Sequence, residues 1–306
     1  MFPSTTVKRH AVAPKHHLYL SPHFDDAALS CGGMIHACTK QGEAVSVLTV
    51  CAGGPPVGPL SDYAYGLHER WGQKRADAQR LAADMIEIRR NEDRAALRML
   101  GAEARFLDVP DVIYRRMGGS GAWTVDSDEA LFRGFEPSEH DLLRATAYAI
   151  EAEIERIEAN SASSPGTGTH MLRLYIPLAA GDHIDHHLVH QAAERLLARR
   201  PELRANAAWY EDYPYAEDPE AVASALEGKV AWSPDTVLMR AEDLEAKVAS
   251  IACYASQIST FWGSLDQMET AVKKMARRVA GDDPSKPARF ENFAERLWRP
   301  ASPGRA

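Results

Sequence analysis

Short apolar runs that stop at turn residues alternate with longer stretches of helical period along most of this chain, and that alternation restricts the fold more than any other feature. The run HLYLS, residues 17–21, ends at Pro22 and gives way to a helix from Ala27 to Lys40. Ala44–Cys51 (AVSVLTVC) stops at Ala52-Gly53-Gly54-Pro55-Pro56, a strand followed by a turn. A helix is predicted from Lys74 to Leu100 with Gly101 as its cap, then a strand at Arg105–Val109 closed by Pro110. The pattern continues with a helix at Leu142–Ala159, a strand at Leu172–Ala180, a helix at His187–Arg200, strands at Ala207–Tyr213 and Thr236–Met239, and a last long helix at Ala241–Phe261. Strands alternating with helices predict right-handed βαβ units and a mostly parallel sheet. The strands are almost continuously apolar, as strands covered on both faces must be.

With 306 residues, 45% of them hydrophobic, the chain has material for one large α/β domain or two small ones. The division read here is an N-terminal tail at 1–16, a single domain at 17–280, and a polar C-terminal segment at 281–306, with His16, His17 and His170 as linker residues. That last segment carries aromatic residues at Phe290–Trp298. Residues 111–138 read as an excursion over the surface, and SASSPGTGT at 161–169 as a flexible connection. The segment at His68–Trp71 has no clear pattern. A formal net charge of −8 without any long Lys/Arg block excludes nucleic acid as a partner. The first residues lack the apolar centre of a signal peptide and no run reaches the length of a membrane span, so a cytoplasmic location is expected. Cys31, Cys38, Cys51 and Cys253 form no CxxC pair and read as buried free thiols. A homo-oligomer is left open.

In a parallel sheet of this kind ligands bind beyond the carboxyl ends of the strands. The two most unusual segments fall there. Ser21-Pro22-His23-Phe24-Asp25-Asp26 follows the first strand, and Gly181-Asp182-His183-Ile184-Asp185-His186-His187 follows LRLYIPLAA. Two imidazoles and a carboxylate with one open position make a catalytic zinc set. Adjacent Asp25 and Asp26 leave the chain in different directions, so one can bind metal while the other faces a substrate. The competing reading makes them helix caps, with Asp26 as N-cap. His190 would be a surface or capping residue, and Tyr213-Pro214-Tyr215 either a rigid turn or a face on which a sugar stacks. Gly32-Gly33 suggests close helix packing, since no GxGxxG is present.

The segment PHFDDAALSCGG resembles the AHPDDE motif of the PIG-L/LmbE-like de-N-acetylases, and GDHIDHH their HxDH motif. Arg89-Arg90-Asn91-Glu92 with Ala95, Ala96 and Leu100-Gly101 is similar to the family's RxxE…AA…LG helix. Lys247 followed by Tyr254-Ala255-Ser256-Gln257 is similar to its Lys…Tyr-x-Ser-Gln stretch. The resemblance covers residues 17–262. It implies a Rossmann-like three-layer fold with the metal site at the carboxyl ends of the strands, and hydrolysis of an N-acetyl group on a glucosaminyl conjugate, a small amino-sugar substrate. The implied cofactor is zinc, with ferrous iron as the alternative in the cell. Carried across, His23, Asp26 and His186 would be the metal ligands and Asp25 the general base. His183 would stabilise the oxyanion as an imidazolium or donate a proton, Asp185 would orient a histidine, and Arg89 would lie near the substrate. Three departures stand out: Ala27 replaces the motif's acidic residue, Phe24 its proline, and Gly181 a tyrosine that some members place before the second motif.

The chemistry is consistent by itself, because an amide needs both a polarised carbonyl and a nucleophile, and zinc lowers the pKa of bound water from 15.7 to about 7. Other readings remain: a metal-dependent amidase on a non-sugar substrate, a silent sugar-binding module, and a non-haem iron oxygenase. The last would use Asp25, not Asp26, as the carboxylate ligand.

Overall fold

The computed structural model describes residues 15–55, 58–72, 78–118, 120–134, 139–162, 171–229, 232–281 and 292–300. Its strands are β1 (Lys15–Ser21), β2 (Ala44–Thr49), β3 (Glu103–Phe106), β4 (Met171–Pro177), β5 (Ala207–Tyr210), β6 (Trp232–Met239) and β7 (Phe293–Pro300). Its helices are α1 (Asp26–Lys40), α2 (Asp62–Arg70), α3 (Ala78–Met99), α4 (His140–Ala162), α5 (Ile184–Arg199), α6 (Pro201–Arg204), α7 (Pro219–Ala225), α8 (Ala241–Ile251), α9 (Ala255–Phe261) and α10 (Leu265–Gly281). The strands form one sheet in the order β3-β2-β1-β4-β5-β7-β6. The first five in that order pair in parallel, and β7 runs antiparallel to both β5 and β6.

Side chains alternate across each strand, and the two faces bury different helices. Leu18, Leu20, Leu174, Ile176 and Trp209 join a cluster with Ile150 and Ile154 of α4 and Leu188, Val189 and Leu196 of α5. Tyr19, Val47, Tyr175 and Tyr210 join another with Ala28 and Ile35 of α1 and Ile86 and Leu97 of α3. The sheet is thus a middle layer between two helical layers. Gly33 is where α1 comes closest to the sheet's far edge, since a Cβ there would lie 1.9 Å from the Met239 sulfur.

Several expectations need correction. β1 begins at Lys15, and His17 belongs to the sheet: one ring nitrogen meets the Tyr175 hydroxyl at 2.9 Å and the other meets Glu43 at 2.8 Å. The sheet also continues past residue 280, because β7 is inserted between β5 and β6. Its charged residues look tail-like in sequence but have partners here. Glu295 accepts from the backbone N–H groups of Gly33 (3.0 Å) and Met34 (2.8 Å) and pairs with Lys247 at 2.7 Å. The helix expected over Ala241–Phe261 is two helices, α8 and α9, and between them Tyr254 turns inward to donate to Asp93 at 2.7 Å. α2 and α10 have no counterpart in the sequence reading. The expected start of α3 at Lys74, most of the connection at 161–169, and His170 lie outside the described residues. The cysteines are free thiols as expected, but only Cys31 and Cys51 are buried; Cys38 and Cys253 are half-buried. Among the described residues no helix is long and apolar enough to cross a membrane.

Candidate active site

The strand order reverses around β1 and β4, so the loops leaving their carboxyl ends diverge and open a crevice. After β1, Ser21 pins the turn: its hydroxyl donates to the His23 carbonyl (2.6 Å) and accepts from Ala27 N–H (3.0 Å). The Asp26 carboxylate accepts from the backbone N–H of His23 at 2.7 Å, which folds it back over the loop. Asp25 sits at the N-cap of α1 but makes no capping bond with its side chain. The capping reading of this acidic pair therefore loses its support. Both carboxylates are buried and face the crevice.

After β4 the chain reverses through Ala179, Gly181 and Asp182, all with positive φ. A side chain at Gly181 would collide with Tyr215, whose Cβ lies 2.6 Å from where a Cβ would sit. His183 then caps α5 with its ring: Nδ1 accepts from the Asp185 N–H at 3.2 Å. Asp185 and His186 lie in the first turn of α5 rather than in a loop. His186 is wholly buried, donating from Nδ1 to Asp212 at 2.7 Å, while its Nε2 has no hydrogen-bond partner and lies 3.4 Å from Asp26 Oδ2. The same Asp26 oxygen is 3.1 Å from His23 Nδ1. One carboxylate oxygen thus stands between two imidazole nitrogens from different strands. Ligand atoms of His23, His183 and His186 also lie within 4.8 Å of one another.

The electrostatics follow from this packing. Burial raises the Asp26 pKa, but His186 and His23 outweigh it and hold the carboxyl well below its usual range. For Asp25 burial dominates and Asp26 adds to it; Arg89 opposes but the pKa ends raised. Burial, then His23 and His186, push His183 well below the ordinary imidazole range. His183 is therefore a neutral ring, and because Nδ1 accepts a bond, its proton sits on Nε2. This direction favours the proton-donor alternative over the imidazolium.

The histidine that Asp185 meets is His23: its Oδ2 accepts from His23 Nε2 (3.1 Å) and Val112 N–H (2.9 Å). Arg89 is buried between the rings of Phe24 and Trp71, 5.1 Å from each centroid, and faces Asp25 at 3.4 Å. Its Nε has no hydrogen-bond partner. All seven residues singled out in the sequence (His23, Asp25, Asp26, Arg89, His183, Asp185 and His186) come together here. Two further carboxylates join them. Asp111 follows β3 and lies 3.8 Å from His23 Nε2 and 3.9 Å from Arg89. Asp212 follows β5 and backs His186. Both sit just beyond a strand, where the topology rule already pointed, but Asp111 opens a stretch that reads as surface loop and Asp212 is masked by an apolar run.

The cleft beside these groups has a volume of about 350 Å³. Trp71, Phe132, Tyr215 and Phe261 contribute aromatic walls. His190 instead donates to the Pro177 carbonyl at 2.8 Å. A second group with metal-ligating side chains, His17, Cys38 and Glu43, lies at the other end of β1. There Lys15 pairs with Glu43 at 2.8 Å and both His17 nitrogens have partners, as in a satisfied structural network. The two helix patterns also meet, since Glu92 accepts from the Ser256 backbone (2.8 Å) and hydroxyl (2.6 Å).

Comparison with known proteins gives concordant matches. The profile of the family described as PIG-L, GlcNAc-PI de-N-acetylase, matches residues 18–197. The 2'-N-acetylparomamine deacetylase of Streptomyces fradiae is 27% identical over 301 residues, 94% of this chain and 90% of that protein. The Niallia circulans protein of the same name is 29% identical over 210 residues, 65% of this chain and 66% of that protein. Among solved structures, a teicoplanin deacetylase in a zinc-inhibited form superposes with a TM-score of 0.74 at 26% identity, covering 93% of this chain and 97% of that one. The deacetylase of the A40926 pseudoaglycone gives 0.66 at 26% identity, covering 92% and 96%.

Proposed function

Because the chain belongs to the PIG-L family, we propose that it is a zinc-dependent hydrolase that removes an N-acetyl group from an amino-sugar conjugate. The observation that carries this reading is the Asp26 oxygen set 3.1 Å from His23 Nδ1 and 3.4 Å from the unpartnered, buried His186 Nε2. Despite burial, the surrounding carboxylates favour protonation of both rings in the metal-free chain. Two imidazole nitrogens that give up those protons for the ion, with one anionic oxygen, suit zinc, and a buried nitrogen without a partner costs about 1–3 kcal/mol unless something binds it. His23, Asp26 and His186 would hold the ion. Bound there, it would polarise the amide carbonyl and make a water acidic enough to attack near neutral pH.

The protein groups divide the remaining work. Asp25, with its raised pKa, accepts the proton from the attacking water and returns it to the leaving amine. His183 donates from Nε2–H to the oxyanion as the carbonyl turns tetrahedral. Asp185 and Asp212 fix the two ligating rings by accepting their outer N–H groups. Arg89 and Asp111 are placed to bind sugar hydroxyls, one as donor and the other as acceptor, while Tyr215 and Phe132 offer faces against which a pyranose packs. The strand order β3-β2-β1-β4-β5 supports the Rossmann-like reading. The oxygenase alternative is disfavoured because Asp25, the carboxylate it needs, lies against Arg89.

The test uses relatives' chemistry as probe. Purified protein is incubated with 2'-N-acetylparomamine and, separately, with simple N-acetylglucosaminides, and released acetate is followed by mass spectrometry. Acetate should form, cease on chelation, and return with zinc. Turnover unaffected by a strong chelator would remove the metal from the mechanism, and acetate from non-sugar amides alone would favour the amidase reading.

A further inference from the structure

Asp185 is wholly enclosed, and its oxygens receive more donors than one imidazole supplies. Oδ2 accepts from His23 and Val112, and Oδ1 accepts from Arg115 at 2.5 Å. Arg115 is itself buried and also pairs with a second carboxylate, Glu139: a terminal nitrogen donates to Oε2 at 3.3 Å, and Nε lies 2.7 Å from Oε1 as an ion pair outside hydrogen-bond geometry. A further bond goes to the Pro110 carbonyl at 3.2 Å. Glu139, Arg115, Asp185 and His23 thus form a row of alternating charge and hydrogen bonds that ends on a ring of the proposed metal centre.

We infer that Arg115, braced by Glu139, is a positioning residue that fixes Asp185 behind His23 and thereby sets how tightly the centre holds its metal. The inference rests on the reading of His23 as a ligand. Asp185 already has two donors on one oxygen, so what Arg115 adds is direction. Its planar guanidinium joins two carboxylates at a fixed mutual geometry, which the single ammonium of a lysine cannot reproduce. Partners behind a ligating imidazole typically control metal affinity by about 10–100-fold. Arg115 comes from the segment after β3, and Glu139 directly precedes α4. The row therefore ties two elements outside both histidine motifs to a single imidazole.

The experiment measures zinc affinity by competition with a chromophoric chelator, and so needs no substrate. The intact chain is compared with Arg115→Lys, Arg115→Met, Asp185→Asn and the double variant Arg115→Met/Asp185→Asn, with circular dichroism of the metal-free proteins as the control for folding. Wild type should bind about one zinc per chain, Arg115→Met should bind about 10–100-fold more weakly, and Arg115→Lys should fall between them. The double variant should be no weaker than Asp185→Asn alone, because Arg115 acts through that carboxylate. Should Arg115→Met fail to fold, Arg115→Lys, which keeps the charge, carries the test. Zinc affinity within about twofold of wild type in every folded Arg115 variant, or losses that simply add in the double variant, overturns the inference while leaving the metal centre standing. A wild-type chain that takes up no zinc overturns both.

Discussion

Asp25 and His183 stand beside the ligand set without being needed to hold an ion, which is why they separate catalysis from binding. Asp25→Asn removes the proton acceptor but leaves His23, Asp26 and His186 in place. It should retain metal and lose about 10²–10⁴-fold in turnover, measured as acetate release alongside metal content. His183→Ala deletes a donor that acts chiefly on the tetrahedral state, so kcat should fall by about 10²–10³ with little change in KM. Because burial holds His183 neutral, and a cation bound beside it would act in the same direction, its charge does not change above neutrality. The alkaline side of the pH–rate profile should therefore have the same shape in wild type and variant, and an alkaline limb that disappears with His183→Ala would restore the imidazolium. Most of these side chains are legible in the sequence because two polar clusters directly follow apolar strands. Arg115 is not, since only the fold shows that a residue 70 positions from Asp185 is its partner.

Among helices and strands, legibility depended on whether the cause was local. β1, β2, β4 and the helices α1 and α4 have apolar periodicity, so sequence alone locates them to within a few residues. The break between α8 and α9 has no Gly or Pro to mark it; it arises because the Tyr254 hydroxyl reaches Asp93. β7 is obscured by Glu295, Arg296 and Arg299, whose partners lie in α1, α8, β5 and β6. A chain ending at Gly281 tests the point. It lacks the strand that joins β5 to β6 and leaves Lys247 buried without its carboxylate, a loss of about 3–5 kcal/mol for a broken buried pair. That truncated protein should be recovered insoluble or without a cooperative thermal transition. A soluble, cooperatively melting product would show that the expected boundary at 280 is a true domain end.

Stability of the folded chain as one body should carry a signature of Asp93. It is wholly buried between Thr49 and Tyr254, and burial pushes its pKa up to about 8 despite the two hydroxyls that donate to it. Its ordinary value is about 3.9, so between these limits the folded chain keeps a proton that the unfolded chain releases. This contribution is fully present below about pH 4 and is lost as pH rises through 8, by up to about 1.4 kcal/mol per unit. Denaturant titrations across that window should show a shallower decline for Asp93→Asn than for wild type; parallel curves would mean that Asp93 is ionised in the fold. The carboxylate of Glu295 has a different consequence. It bonds to the backbone of Gly33 and Met34 across 262 and 261 positions of sequence. During translation the helix that follows the His23 loop is therefore made long before its brace. Between the synthesis of His186 and that of Glu295 the nascent chain carries every proposed ligand yet lacks the strand that steadies them, so full metal loading should come only after that strand has emerged.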